Sequence, residues 1–418
     1  MIRSSTLPNG MLVLSEQMAH VRSATVGVWC DVGSAAETPE RRGISHLLEH
    51  MVFKGTTRRT ARAIAEEMDA FGGELNAMTD KEATCFYAHV VDRRLPEAVD
   101  VLADMLQNAL FDAGDLAREQ QVVLEEIRMY DDSPSEVVHD RFARALWRGA
   151  HLGDPTIGFA ETVSAITRDD LVGWRTARYG PATTIVTAAG NLDHDELVRM
   201  LSEAFAAYGG GARPPEAERP RFTAAVDVAI DDTEQAYVLL GTPGLSMRDE
   251  RRYALSVLDA LLGGGMSSRL FQSVREERAL AYEIATFQLG YRASGLFGVS
   301  AGCAPERVQE CVDVVSDELD RLLHDGARGD EVERAREHLK GSLTLALEST
   351  FNRMARLARN ELVHGRQIPT EEIEAGFDAV DTAAVDALAR ELLRGPRGLC
   401  VLGPGEVRGV RLRGAEAA

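Results

Sequence analysis

Apolar residues recur along this chain with two different periods, and their succession predicts an α+β protein. Short runs rich in β-branched or aromatic residues read as strands, among them Met11-Leu12-Val13-Leu14, Ala24-Thr25-Val26-Gly27-Val28-Trp29, Thr184-Ile185-Val186-Thr187-Ala188 and Ala236-Tyr237-Val238-Leu239-Leu240. Longer stretches with helical spacing separate them. Residues 115–130 place Leu116, Val123, Leu124 and Ile127 on one helical side. Pro8-Asn9-Gly10 predicts a hairpin turn leading into the first of these strands. Thr38-Pro39-Glu40 predicts a helix start, with Thr38 as N-cap and Pro39 in the first turn. Ile44, Leu47, Leu48, Met51 and Val52 then give that helix an apolar side.

The pattern runs twice. A stretch of Gly, Pro and charge at 209–222 reads as a linker between domains at 1–208 and 223–418. In the first half a strand is followed by Gly33 and then by Glu40-Arg41-Arg42. In the second half a strand is followed by Gly244 and then by Glu250-Arg251-Arg252. Near the domain ends, Ala165-Ile166-Thr167 and Ala379-Val380-Asp381 each precede a helix and a last strand. Two homologous α+β domains are therefore expected, each a mainly antiparallel sheet flanked by helices.

The H-x-x-E-H run His46-Leu47-Leu48-Glu49-His50 lies on the predicted first helix. At about 100° per residue, the two imidazoles fall about 40° apart and Glu49 about 60° to the other side of His46. Two neutral imidazoles one turn apart suit a tetrahedral Zn²⁺, and a neighbouring carboxylate that does not bind the metal can take a proton from water. This spacing is the inverted zinc-peptidase motif. In the second half, aligning the Glu-Arg-Arg triplets puts Ser256, Asp259 and Ala260 at the matching places, so that half lacks the motif. A third ligand is needed. On the helix at 115–130, Glu119 and Glu126 share a face, whereas Glu125 points about 100° away from Glu126. Any one of these acids also reads as a surface charge, and considered alone Glu119 and Glu125 read better that way.

Composition narrows the partners. The net charge of −20 argues against nucleic acid and anionic membranes, and suits a cationic peptide. No apolar run approaches the roughly 20 residues that span a bilayer, and the first ten residues show no signal-peptide core. The five cysteines (Cys30, Cys85, Cys303, Cys311, Cys400) are scattered without C-x-x-C spacing. They are expected as buried thiols of a reducing, cytoplasmic compartment. Lys and Arg total 46, and the only lysines are Lys54, Lys81 and Lys340.

Taken together, the run from His46 to Thr56 and Glu126, 76 positions after His50, resembles the pitrilysin family of zinc peptidases. The likeness is nearest to the mitochondrial processing peptidase branch and its bacterial homologues. It spans essentially the whole chain, including Leu7-Pro8-Asn9-Gly10, Leu75-Asn76-Ala77-Met78-Thr79, Val122-Val123-Leu124-Glu125-Glu126-Ile127 and Gly264-Gly265-Met266-Ser267-Ser268-Arg269-Leu270-Phe271. The resemblance implies one Zn²⁺ per chain held by His46, His50 and Glu126. Glu49 would be the general base, and Glu119 a carboxylate beside the ligands that does not itself bind the metal. Leu75, Asn76, Ala77 and Met78 would form an edge strand that pairs with extended substrate. Arg275 and Tyr282 match an Arg/Tyr pair that holds the substrate carbonyl; without the resemblance they read as a surface charge and a packed aromatic. It also implies a clamshell of two domains and a homodimer. Gly263-Gly264-Gly265 reads either as a helix stop or as a shortened substrate-recognition loop. The expected activity is that of a zinc metalloendopeptidase acting on unfolded peptides or flexible segments. The alternative is a non-catalytic peptide-binding or structural subunit of the same family.

Overall fold

A computed structural model describes residues 2–214 and 219–413, so residues 215–218 of the expected linker lie outside the described residues. The first sheet contains β1 (Ile2–Thr6), β2 (Leu12–Gln17), β3 (Ser23–Cys30), β4 (Glu74–Thr79), β5 (Thr84–Val91) and β6 (Thr184–Gly190), in the order β1-β2-β6-β3-β5-β4. The second contains β7 (Val226–Ile230), β8 (Ala236–Gly244), β9 (Ala281–Gly290), β10 (Gly295–Cys303) and β11 (Gly398–Gly403), in the order β7-β11-β8-β10-β9. Apart from β1 the two orders are the same. Each has a single parallel pair at the same place, β2 with β6 and β7 with β11, and antiparallel pairs elsewhere. The fold is thus the α+β class expected, with two sheets flanked by helices.

Two compact units carry these sheets, and neither is a contiguous half of the chain. The first is built from the described residues of 1–128, 155–217 and 346–367, and the second from those of 129–154, 218–345 and 368–418. The contiguous halves expected at 1–208 and 223–418 therefore differ from the compact units by one helix each way. Helix Thr350–His364 packs in the first unit on β6, β3 and β2, and helix Pro134–Leu146 packs in the second on β11, β8 and β7.

The reason is local packing. In the first unit one sheet face buries Val26, Val28, Leu47, Leu48, Val101 and Leu197 in the main core. The opposite face presents Trp29, Tyr87 and Ala189, which helix Thr350–His364 covers with Phe351 and Met354. Thr25 and Thr350 share a hydroxyl hydrogen bond of 2.8 Å, and Trp29 Nε1 donates to Thr187 Oγ1 at 2.9 Å. A Cβ at Gly27 would come within 2.5 Å of the Met354 sulfur, so a larger residue there would force the Met354 side chain to shift. The second unit repeats the device: a Cβ at Gly241 would meet the Phe142 ring at 2.7 Å, and Arg141 grips Asp227 through two bonds of 3.0 and 2.9 Å.

All five cysteines are buried and free. Helix Arg252–Gly263 ends at the triple glycine, where Gly264 has φ −78°, so the stop is not a left-handed cap. Among the described residues no helix is long and apolar enough to cross a membrane.

Candidate metal centre

The H-x-x-E-H residues lie on helix Ile44–Val52. Its start differs from the expected one. Pro39–Arg41 forms only a 3-10 turn, Thr38 makes no side-chain cap, and the α-helix begins after Gly43 at φ 91°. Glu37 does the capping. Its two carboxylate oxygens accept from the backbone N–H groups of Gly43 and Ser45, each at 2.8 Å. Local cap signals at Thr38 pointed to the wrong residue because a carboxylate one position earlier reaches over the turn. Burial pushes the Glu37 carboxyl up to about 7, against the lowering effect of these backbone bonds.

Ile44, Leu47, Leu48 and Met51 are fully buried and hold one side of the helix in the core. The opposite side presents His46, Glu49 and His50. The third group comes from helix Ala113–Asp131, anchored by buried Leu116 and Val123. It is fixed further by Gln120, whose amide donates to the carbonyls of Val163 and Ile166 at 2.9 and 3.0 Å. Glu119 and Glu126 flank that buried stripe, as their seven-residue spacing requires. Glu125 points elsewhere and pairs with Arg128.

His46, His50 and Glu126 offer three ligand atoms that all lie within 4.8 Å of one another. Glu126 Oε2 is 3.8 Å from His46 Nε2 and 3.6 Å from His50 Nε2, too far for good hydrogen bonds. Two ligands on a tetrahedral zinc with bonds of about 2.0–2.1 Å stand roughly 3.3 Å apart, so the spacing suits a shared ion. The proton inventory agrees. His50 Nδ1 meets Glu119 Oε2 at 3.2 Å, and when that nitrogen donates, Nε2 is left as a lone pair facing the Glu126 carboxylate. Burial, and secondarily His50, pull His46 down to about 4, so its ring is neutral at ordinary pH; its Nδ1 is buried without a partner. With the proton of each neutral ring on Nδ1, both Nε2 lone pairs would face the Glu126 carboxylate, an arrangement that suits a cation.

Glu49 stands beside this cluster rather than in it. The Thr79 hydroxyl at the end of β4 donates to its Oε2, leaving Oε1 available. Burial raises the Glu49 carboxyl above the ordinary value, opposed by the Thr79 bond and His50 and reinforced by Glu126. The expected substrate strand is β4, one edge of the first sheet, with Asn76 exposed and Leu75, Ala77 and Met78 half-buried. Arg275 and Tyr282 lie in the second unit. The Arg275 guanidinium sits over the Tyr282 ring, 4.9 Å from its centre, and both line an open cleft of about 650 Å³. Tyr282 is 73% exposed, so it is not a packed aromatic. The matched trio Ser256, Asp259 and Ala260 sits on helix Arg252–Gly263. Sequence reasoning missed the contacts of Glu37, Thr79 and Lys54. For Lys54 one signal was present: it follows His50 by four residues, just past the end of the helix at Val52.

Comparison with known proteins identifies the family. Residues 12–159 match the family profile described as insulinase (peptidase family M16), and residues 165–339 match one described as the peptidase M16 inactive domain. The second profile covers the segment that lacks the H-x-x-E-H run. An uncharacterized zinc protease of Streptomyces coelicolor is 44% identical over 411 residues, covering 96% of this chain and 90% of that protein. One from Bacillus subtilis is 40% identical over 404 residues, covering 97% of this chain and 98% of that protein. The crystal structure of a peptidase M16 inactive domain from Pseudomonas fluorescens shares the fold with a TM-score of 0.91 at 19% identity, covering 97% of this chain and 98% of that one. A protease from Helicobacter pylori does so with a TM-score of 0.89 at 22% identity, covering 97% of this chain and all of that one. The chain belongs to the insulinase, or M16, family of peptidases.

Proposed function

We propose that this protein is a zinc-dependent metalloendopeptidase that hydrolyses unfolded peptides or flexible protein segments. The observation that carries the reading is the convergence of His46, His50 and Glu126 within 4.8 Å, with the unligated Glu49 on the same helix. One zinc per chain would be held by those three groups. When bound, zinc supplies a Lewis acid that polarises a carbonyl and makes water acidic near neutral pH.

The protein's own groups divide the remaining work. Glu49 accepts the proton of the attacking water at Oε1, the oxygen its bond to Thr79 leaves available, and delivers it to the departing amine. Its raised affinity for protons suits both halves of that transfer. An extended peptide adds to the edge of β4 through main-chain bonds, which favours chains without stable structure. Arg275 and Tyr282 are assigned to the substrate carbonyl on the family resemblance, supported by their stacking and exposure. Family resemblance also supports a homodimer, and five free buried cysteines fit a reducing cytoplasm.

The test is cleavage of a quenched, unstructured basic peptide before and after chelation. Activity should vanish with the metal and return when zinc is added back. Cleavage unaffected by complete removal of the metal would refute the reading. Stoichiometric zinc without cleavage of any peptide would favour the non-catalytic alternative.

A further inference from the structure

Glu119 is the least exposed carboxylate at the site, and its two oxygens do different things. Oε2 faces His50 Nδ1 at 3.2 Å, and Oε1 meets the Lys54 ammonium at 2.8 Å. The Glu119 side chain is 8% exposed, a burial that a carboxylate bears only when a cation and hydrogen bonds compensate. Lys54 stands just beyond the motif helix, where its N–H still bonds the Met51 carbonyl at 3.2 Å. One short segment therefore supplies both the ligand His50 and the cation that pins its orienting carboxylate.

From this geometry, and resting on the proposed zinc site, we infer that Lys54 is a positioning residue. Its ammonium holds Glu119 by one oxygen so that the other stays committed to His50. The choice of Lys is informative in a chain with three lysines among 46 basic residues. Four arginines here take both oxygens of a carboxylate partner, Arg3 with Asp195, Arg58 with Asp100, Arg141 with Asp227 and Arg269 with Glu331, whereas others, such as Arg59 with Asp104, take one. A guanidinium at position 54 has the fork geometry to reach both oxygens and so to compete with His50 for Oε2. A lysine is a one-point donor, and Glu119 has one oxygen to spare.

The experiment measures zinc affinity of the full chain by competition with a chromophoric chelator, for wild type, Lys54→Met, Lys54→Arg, Glu119→Gln, the Lys54→Met/Glu119→Gln double variant and His46→Gln. Circular dichroism of each metal-free protein checks the fold. Orienting partners of a ligand typically contribute 10–100-fold to metal affinity, so Lys54→Met and Glu119→Gln should each weaken zinc by about that factor. The double variant should be no weaker than Glu119→Gln alone, because both changes break one linkage. Lys54→Arg should stay weakened although it keeps the charge. Lys54→Met or Lys54→Arg with wild-type affinity, or additive losses in the double variant, would overturn the inference while leaving the zinc site standing. Zinc uptake by wild type that is absent, or unaffected by His46→Gln, would overturn the functional reading and this inference with it.

Discussion

Replacing Glu37 by alanine should loosen the motif helix without touching any metal-binding group. The carboxylate accepts two backbone N–H bonds of 2.8 Å at the start of Ile44–Val52, and Glu37 is 1% exposed. Its removal leaves two buried donors without an acceptor, at about 1–3 kcal/mol each, or roughly 2–6 kcal/mol together. Two compact units make a single global unfolding energy a poor measure, so local opening is the better readout. Hydrogen exchange of a peptide spanning residues 43–52, followed by mass spectrometry, should accelerate by at least about 30-fold, the equivalent of 2 kcal/mol. Glu37→Gln adds a check of sign. The native carboxyl is pushed up to about 7 by burial, so between the ordinary 4.5 and that value the folded state holds more protons than the unfolded one. The stabilisation from its neutral form is complete below pH 4.5 and is lost as pH rises through about 7. Glu37→Gln lacks this titration, so its deficit against wild type should shrink over that window. Exchange in Glu37→Ala within twofold of wild type would refute the capping role.

Other substitutions probe the rest of the site. Thr79→Val should lower kcat by about 10–100-fold, the value of a hydrogen bond to a charged group, with KM and zinc content unchanged and Thr79→Ser restoring the rate; an equal loss in Thr79→Ser would contradict this. His46→Gln, His50→Gln or Glu126→Gln should each abolish both stoichiometric zinc, measured by elemental analysis, and peptide cleavage. Asp104→Asn should lower the thermal midpoint of the metal-free protein. The buried carboxylate accepts from Thr56, Arg59 and Asn108, each at 2.8 Å, and breaking such a group typically costs about 3–5 kcal/mol. Burial alone would raise the Asp104 carboxyl, but bonds from Asn108, Arg59 and Thr56 hold it below the usual range. Its contribution is therefore present above the ordinary 3.8 and lost as pH falls through the lower folded value, which an acid titration of wild type against Asp104→Asn should show.

Much of this was legible in the residues. Strand alternation and helical spacing located β2, β3, β6 and β8 and the helices bearing the metal-site residues, because local periodicity is set by local burial. His46, Glu49 and His50 were readable as a group because five residues on one helix fix their own geometry. Glu126 required the family resemblance, since nothing in an amphipathic helix says which distant residue its acids face. The exchange of helices Pro134–Leu146 and Thr350–His364 was illegible for the same reason. An apolar stripe tells that a helix is covered, not which sheet covers it. Glu37, Thr79 and Lys54 act through contacts that the turn after Thr38, the end of β4 and the helix Ala113–Asp131 create only on folding.

The central claim is that a metal centre and a separate carboxylate share the chemistry. Glu49→Gln separates them most directly, because Glu49 lies outside the three-ligand cluster. Zinc content and cleavage of the quenched peptide should be measured on the same purified sample. Wild-type zinc with cleavage reduced by at least about 100-fold, the lower range for general acid–base catalysis, is the predicted result. Full cleavage by a zinc-loaded Glu49→Gln protein would contradict it.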